Sequence, residues 1–101
     1  IERKIFFTKL HIMNSIILNA LKQNGSMIGS ITNPSEEMCF VAVNQNGLAL
    51  KNIKNKTYYL CLEAVKNNGL SIEYVPKKMR TFDMCNSAVI QNGLAINFII
   101  N

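Results

Sequence analysis

Residues 61–72 have the sequence CLEAVKNNGLSI, and two close copies stand at residues 39–50 (CFVAVNQNGLAL) and 85–96 (CNSAVIQNGLAI). A weaker copy runs from Ile17 to Ile28. The four copies place their glycines at positions 25, 47, 69 and 93, so the first two intervals are equal and the third is longer by two positions. A nearly fixed period of this length is typical of repeat proteins, in which each unit packs mainly against its neighbours.

The apolar residues before each glycine have the spacing of a helix. In the second copy they are Met38, Cys39, Ala42 and Val43, which share one helical face and do not alternate as strand residues would. Asn-Gly between apolar runs is also a signal for a β-hairpin, but this spacing argues against one. The sequence therefore predicts an α-helix of about three turns before each glycine.

Each glycine is expected to end its helix in the left-handed conformation, which costs a residue without a Cβ atom no strain. The predicted structural caps are Gly25, Gly47, Gly69 and Gly93. A short apolar set follows each of them and predicts a second, shorter helix, with an extended segment as the alternative. Gly29 is expected to weaken that short helix in the first repeat.

Helix starts are also marked in the sequence. Asn33, Pro34 and Glu36 have the pattern of an N-cap residue, a proline at the first helical position and a capping-box acid. Thr57 and Thr81 stand at the corresponding places of the next two repeats. These signals predict where the long helix of each later repeat begins.

We therefore predict an all-α fold, an α-solenoid of short helix-turn-helix repeats in a single domain over residues 1–101. The predicted repeats span about 8–32, 33–56, 57–80 and 81–101, and Thr8 is expected to cap the first helix. Because the chain begins with Ile1 and ends in an apolar segment, we expect a fragment of a longer protein. Further repeats or oligomer contacts are expected at that apolar C-terminal end.

The chain carries little that predicts chemistry. Cys39, Cys61 and Cys85 occupy one repeat position, and helix spacing places them too far apart for a disulfide. We expect buried, reduced, metal-free thiols in an intracellular reducing compartment. His11 is the single histidine, and no nucleotide, zinc-protease or serine-hydrolase motif is present. The sequence thus predicts no enzyme, no catalytic residue, no cofactor and no metal.

The formal net charge of +5 is concentrated in the links between repeats. The residues predicted to line one basic edge are Lys51, Lys54, Lys56, Lys77, Lys78 and Arg80. Such an edge is either simply solvated or a docking surface for an acidic partner or nucleic acid. No apolar run reaches the ~18 residues of a membrane span, so no membrane partner is expected.

We favour a protein-interaction scaffold with an unidentified protein partner, whose contacts would involve exposed residues of a helical face such as Tyr58, Tyr59 or Glu63. A nucleic-acid-binding array that uses the basic edge is the alternative. A structural component of a larger particle is a third interpretation.

The recurring pattern [LM]-C-x-x-A-V-x-[QN]-N-G-L-[AS]-[LI], followed in the third repeat by Glu73-Tyr74-Val75-Pro76 and a basic link, resembles a known repeat family. The resemblance is to helical repeats of this period, classed as a domain of unknown function, in giant viruses of amoebae and some bacteria. It covers residues 35–101 well and 13–32 poorly. It implies a helical array and a viral source, and it transfers no site residue. A leucine-rich repeat has a similar period, but its asparagine follows the Leu-x-Leu strand instead of preceding it.

Overall fold

The computed structural model describes residues 2–100, and these contain helices and no strand. The α-helices are α1 (Glu2–Gln23), α2 (Glu36–Gln45), α3 (Tyr58–Asn67), α4 (Phe82–Gln91) and α5 (Ile96–Ile99). The 3-10 helices are η1 (Gly25–Ser30), η2 (Gly47–Asn52), η3 (Gly69–Tyr74), η4 (Lys77–Met79) and η5 (Gly93–Ala95). The prediction of all-α helical repeats is confirmed, and the short second element of the first three repeats is a 3-10 helix.

Successive repeats stack into an elongated body with principal extents of 57 × 25 × 19 Å. Each α-helix packs on the α-helix of the next repeat, and the 3-10 helices form a second row beside them. The core lies between the two rows. Its largest fully buried apolar side chains are Leu21, Ile28, Val43, Leu50, Cys61, Val65, Ile72, Val75 and Met84.

Hydroxyl side chains begin the helices of the later repeats. Thr57 and Thr81 are the N-caps of α3 and α4, and their Oγ atoms accept hydrogen bonds from backbone N–H groups three residues later. The start predicted for α2 was wrong by two residues. Ser35 is its N-cap, whereas Asn33 lies outside the helix with φ at 51°. Ser35 stands at the same repeat position as Thr57, so the cap follows the repeat.

Helix α1 starts earlier than predicted. It begins at Glu2, and Thr8 lies inside it, where its hydroxyl donates to the carbonyl of Lys4 at 2.8 Å instead of capping an end. The first half of α1 extends beyond the length of the other repeat helices. It exposes several large apolar side chains, namely Ile5, Phe6, Phe7, Leu10, Ile12 and Met13.

The predicted role of the glycines as left-handed caps was wrong. None of Gly25, Gly47, Gly69 and Gly93 has a positive φ. The preceding asparagines end the α-helices instead, in extended conformations with φ from −146° to −152°. Each asparagine donates its backbone N–H to the carbonyl of the alanine four residues earlier. Its side-chain Oδ1 accepts a bond from the backbone N–H two residues later. These asparagines are Asn24, Asn46, Asn68 and Asn92.

Gly25, Gly47 and Gly69 are required by contacts between repeats. A Cβ atom at Gly69 would overlap the carbonyl oxygen of Ala88, which belongs to the next repeat, and Gly25 and Gly47 have the same relation to Ala42 and Ala64. Since the carbonyl is part of a helix backbone, it cannot move aside as a flexible side chain would. The [QN]-N-G pattern thus includes the position where one repeat touches the next.

The repeats also differ in the segments that link them. Helix η1 has the same six-residue length as η2 and η3, so the expected weakening by Gly29 is not seen in the helix length. A Cβ atom at Gly29 would lie 3.1 Å from Cβ of Asn52, which shows that this glycine also faces the next repeat. The longer interval between Gly69 and Gly93 coincides with the additional helix η4.

Candidate partner-binding surface

An amide side chain of each following repeat completes the glycine contact. The N–H of Gly25 donates to Oε1 of Gln45 at 2.7 Å, and the N–H of Gly47 donates to Oδ1 of Asn67 at 2.6 Å. The same bond joins Gly69 to Gln91. The first residue of the [QN]-N-G pattern therefore bonds backward to the preceding repeat, which accounts for a side chain with an acceptor oxygen at this position.

Two of the six predicted edge cations are hydrogen-bonded to the backbone. Nζ of Lys56 donates to the carbonyl of Tyr74 at 2.9 Å. Nη1 of Arg80 donates to the carbonyl of Phe98 at 3.0 Å. In both cases the acceptor stands 18 residues after the cation. These two cations thus join successive repeats. The bond of Lys56 is made at the carboxyl end of η3, where a positive charge is favourable.

Arg80 also donates two hydrogen bonds to backbone carbonyls that precede it in the chain. Its Nε donates to the carbonyl of Val75 at 2.9 Å, and its Nη2 donates to the carbonyl of Glu73 at 3.3 Å. A planar guanidinium presents several donors in a fixed arrangement, so one side chain can join three carbonyls. Arg80 is half-buried and holds the link around η4 in place.

The other four cations of the predicted edge, Lys51, Lys54, Lys77 and Lys78, are exposed. The predicted six-residue binding edge is therefore divided, with four side chains free to meet a partner and two committed to the fold.

The first link differs from the later two at the position of the bridging cation. Pro34 occupies the repeat position of Lys56 and Arg80, and like them it directly precedes the N-cap residue of its helix. The position equivalent to the acceptor Tyr74 is Asn52, the last residue of η2. Proline carries no side-chain donor, so position 34 supplies no bridging side chain.

A groove of about 550 Å³ opens at this place. We name it the first-link groove; its lining includes Gly29, Asn33, Pro34, Glu36, Asn52 and Lys54. Its wall includes both Pro34 and Asn52. These two residues stand at the repeat positions of Lys56 and Tyr74, which are hydrogen-bonded to each other. The groove is thus the counterpart of a site that a lysine or arginine side chain fills in the later repeats.

The cysteines are free thiols with unequal burial. Cys39 and Cys61 are buried, whereas Cys85 is half-buried, which differs from the prediction that all three would be buried. Burial raises the pKa of the Cys39 thiol, and Glu36 raises it further. Burial also raises the pKa of the Cys61 thiol, against a smaller opposing effect of Lys56. The thiolate form is therefore disfavoured at these two positions.

The tyrosines named as partner contacts have different environments. Tyr58 is half-buried and its hydroxyl hydrogen-bonds the Thr81 hydroxyl at 3.1 Å, so it serves the contact between repeats. Tyr59 packs edge-to-face on Tyr58 and is 72% exposed. Tyr59 and the half-buried Glu63 therefore lie at the surface of α3.

Over residues 2–100, no cluster of three or more histidine, cysteine, aspartate or glutamate side chains has the arrangement of a metal site. Within the same residues, no helix combines the length and the hydropathy needed to cross a bilayer.

The fold and the contacts between its units define an array of short helical repeats. In comparisons with known proteins, residues 59–101 match the family model of a domain of unknown function, DUF4116. The matched segment contains almost all of α3 and continues through η3, η4, α4, η5 and α5. Neither the curated proteins nor the solved structures include a match to the chain.

Proposed function

We propose that this chain is a non-enzymatic helical-repeat scaffold that binds a protein partner, and that the first-link groove receives a lysine or arginine side chain of that partner. The observation that supports the proposal is the replacement of the bridging cation by Pro34 beside an open groove. The same position in the next two repeats carries a cation that bonds a carbonyl 18 residues later.

The chemistry of the groove suits such a side chain. The carboxyl end of η2 carries the partial negative charge of a helix terminus, and in the wall the carboxylate of Glu36 offsets the positive charge of Lys54. Lys56 and Arg80 show that this repeat geometry brings a cationic donor within 3.0 Å of the equivalent carbonyl. The apolar stem of a lysine or arginine would lie along Ile28 and Ile53, which also line the groove.

The test uses a variant in which the chain fills its own groove. Pro34→Lys restores the residue type found at the later links, so the new side chain should bond the Asn52 carbonyl and block the groove. Asn44→Lys is the matched control, because it adds the same charge at an exposed helical position where Lys22 and Lys66 already stand in other repeats. Both variants and the native chain are screened against a display library of random linear peptides.

We expect the native chain and Asn44→Lys to enrich peptides with one lysine or arginine at a fixed position, and Pro34→Lys to enrich none of them. Amide shifts of residues 28–36 and 52–57 should change when such a peptide is added to the native chain. Enriched peptides without a basic residue, or equal binding by Pro34→Lys, would show that the groove is not the site.

A nucleic-acid-binding array is the second candidate, because Lys51, Lys54, Lys77 and Lys78 remain exposed. Phosphate contacts by these lysines would make affinity fall by ~0.9 log units per contact per decade of salt for duplex. The variant that changes all four to glutamine should lose this dependence and keep its fold, since surface substitutions usually stay within about 0.5 kcal/mol. Lys56 and Arg80 are left unchanged in this test because they hold the repeats together.

The proposed source is a giant virus of amoebae, for which the repeat pattern and the abundance of asparagine and isoleucine are the support. In that setting the proposed location is a reducing compartment, either the host cytoplasm or the virion. A structural component of a larger particle is then the third candidate, since stacked repeats can extend an assembly.

A further inference from the structure

The Asn-Gly pair that recurs in each repeat is the dipeptide most prone to spontaneous deamidation. Glycine has no Cβ atom, so its backbone nitrogen reaches the preceding side chain with little steric obstruction. That nitrogen attacks Cγ of the asparagine, ammonia leaves, and a succinimide ring forms. Water then opens the ring to aspartate or isoaspartate. Each copy of the repeat therefore carries a pair of residues that can modify themselves.

The fold holds the side-chain carbonyl of these asparagines close to the following peptide group. Oδ1 of Asn68 accepts a hydrogen bond from the N–H of Leu70 at 3.0 Å, and Oδ1 of Asn46 accepts the same bond from Leu48 at 3.1 Å. Such an Asx turn folds the side chain back over the peptide group that contains the glycine nitrogen. The donated bond also draws electron density from Cγ, which is the atom that the nitrogen attacks.

The next repeat blocks the other reactant, the glycine nitrogen. The N–H of Gly47 donates to Oδ1 of Asn67 at 2.6 Å, and the N–H of Gly69 donates to Oε1 of Gln91. The nitrogen must lose this proton before it attacks, and an amide oxygen is too weak a base to accept it. Both glycines are also buried, which keeps water from the N–H group and disfavours an anionic nitrogen.

We call this bond, from the N–H of a glycine to an amide side chain of the next repeat, the glycine clamp. It joins Gly25 to Gln45, Gly47 to Asn67 and Gly69 to Gln91. None of these residues lines the first-link groove.

We propose that Asn24, Asn46 and Asn68 are deamidation sites that the glycine clamp keeps unreactive, and that each site reacts when its repeat separates from the next one. Water is the only co-reactant, and ammonia is the by-product. Aspartate keeps an acceptor oxygen for the Asx turn, but isoaspartate inserts an additional carbon atom into the backbone. The longer backbone displaces the glycine from the clamp, so a contact that has opened and reacted in this way does not close again.

The test measures the deamidation rate of each asparagine in the 101-residue chain at mildly alkaline pH. Mass spectrometry of proteolytic peptides resolves the sites, and the same chain unfolded in urea gives the rate without a clamp. Gln91→Met removes the acceptor of the Gly69 N–H at similar side-chain length. Gln91→Asn is the matched control, because Asn67 makes the equivalent bond to Gly47.

We expect all three sites to react more slowly in the folded native chain than in urea. Gln91→Met should raise the rate at Asn68 by roughly ten- to a hundredfold, because the contact that has lost this buried bond opens more often. Asn24 and Asn46 should keep their native rates, and Gln91→Asn should leave Asn68 at its native rate.

A second variant separates local opening from loss of the whole fold. Gln45→Met removes the acceptor of the Gly25 N–H, so the increase should move to Asn24. Equal rates in the folded native chain and in urea would overturn the proposal. An unchanged rate at Asn68 in Gln91→Met, or an equal increase at all three sites in both methionine variants, would overturn it as well.

Discussion

The strongest test of the glycine contact compares Gly69→Ala with Gly93→Ala. A Cβ atom at Gly69 would overlap the Ala88 carbonyl oxygen and lie 3.0 Å from its carbon and 3.2 Å from the Asn92 nitrogen. All three are backbone atoms, so the two repeats must separate. The same separation weakens the bond between the Gly69 N–H and Gln91.

The expected cost follows from these two losses. Overpacking in a close-packed contact costs about 1–3 kcal/mol, and a buried N–H without its acceptor costs about 1–3 kcal/mol. The reduced freedom of the unfolded chain returns about 0.4–1 kcal/mol. We therefore expect Gly69→Ala to lose about 1–5.5 kcal/mol, whereas Gly93→Ala should be neutral or slightly stabilising.

Urea unfolding followed by circular dichroism, at a protein concentration where the chain is monomeric, measures both values. The thermal unfolding midpoint of Gly69→Ala should be lower by roughly 4 °C or more, given the roughly 4–8 °C per kcal/mol typical of this size. If the glycines acted as left-handed caps, both substitutions would cost a similar ~1–2 kcal/mol. Equal destabilisation of the two variants would thus refute the contact argument.

Four further outcomes are expected. Ser71→Ala should stabilise the fold by about 1 kcal/mol, because this buried hydroxyl has no hydrogen-bond partner among the described residues, and a destabilised variant in urea titrations would contradict this. Arg80→Gln should cost about 1.5–3 kcal/mol through its lost carbonyl bonds, whereas the exposed Lys78→Gln should change the unfolding free energy by less than about 0.5 kcal/mol; similar values for both would be inconsistent with the bridge. Thr81→Ala should cost about 0.5–2 kcal/mol through its lost N-cap bond, with an unchanged urea midpoint as the opposing result. Burial raises the pKa of Cys61 above its ordinary 9.0, so the stability from its protonated folded form is fully present below pH 9.0 and is lost as pH rises through the folded-state pKa; a Cys61→Ala variant should show a shallower loss of unfolding free energy in that alkaline range.

Local sequence determined the period, the type and the approximate length of the repeat helices. The apolar spacing around Ala64 and Val65 and the hydroxyl caps Thr57 and Thr81 depend on residues within about four positions of one another, and these predictions agree with the structure. Asn33 was a competing cap signal, whereas Ser35, at the same repeat position as Thr57, is the N-cap of α2.

Only the tertiary structure decided what the glycines and the link cations do. Gly69 and Arg80 have their decisive contacts with Ala88 and Phe98, which lie in the next repeat, and no pattern within one turn reports such a contact. Pro34 is a similar case. That it stands where Lys56 and Arg80 form their bonds becomes apparent only once those bonds are known from the structure. In a stacked array the contacts that specify a residue lie about one full repeat away, so the fold must be assembled before the residue can be explained.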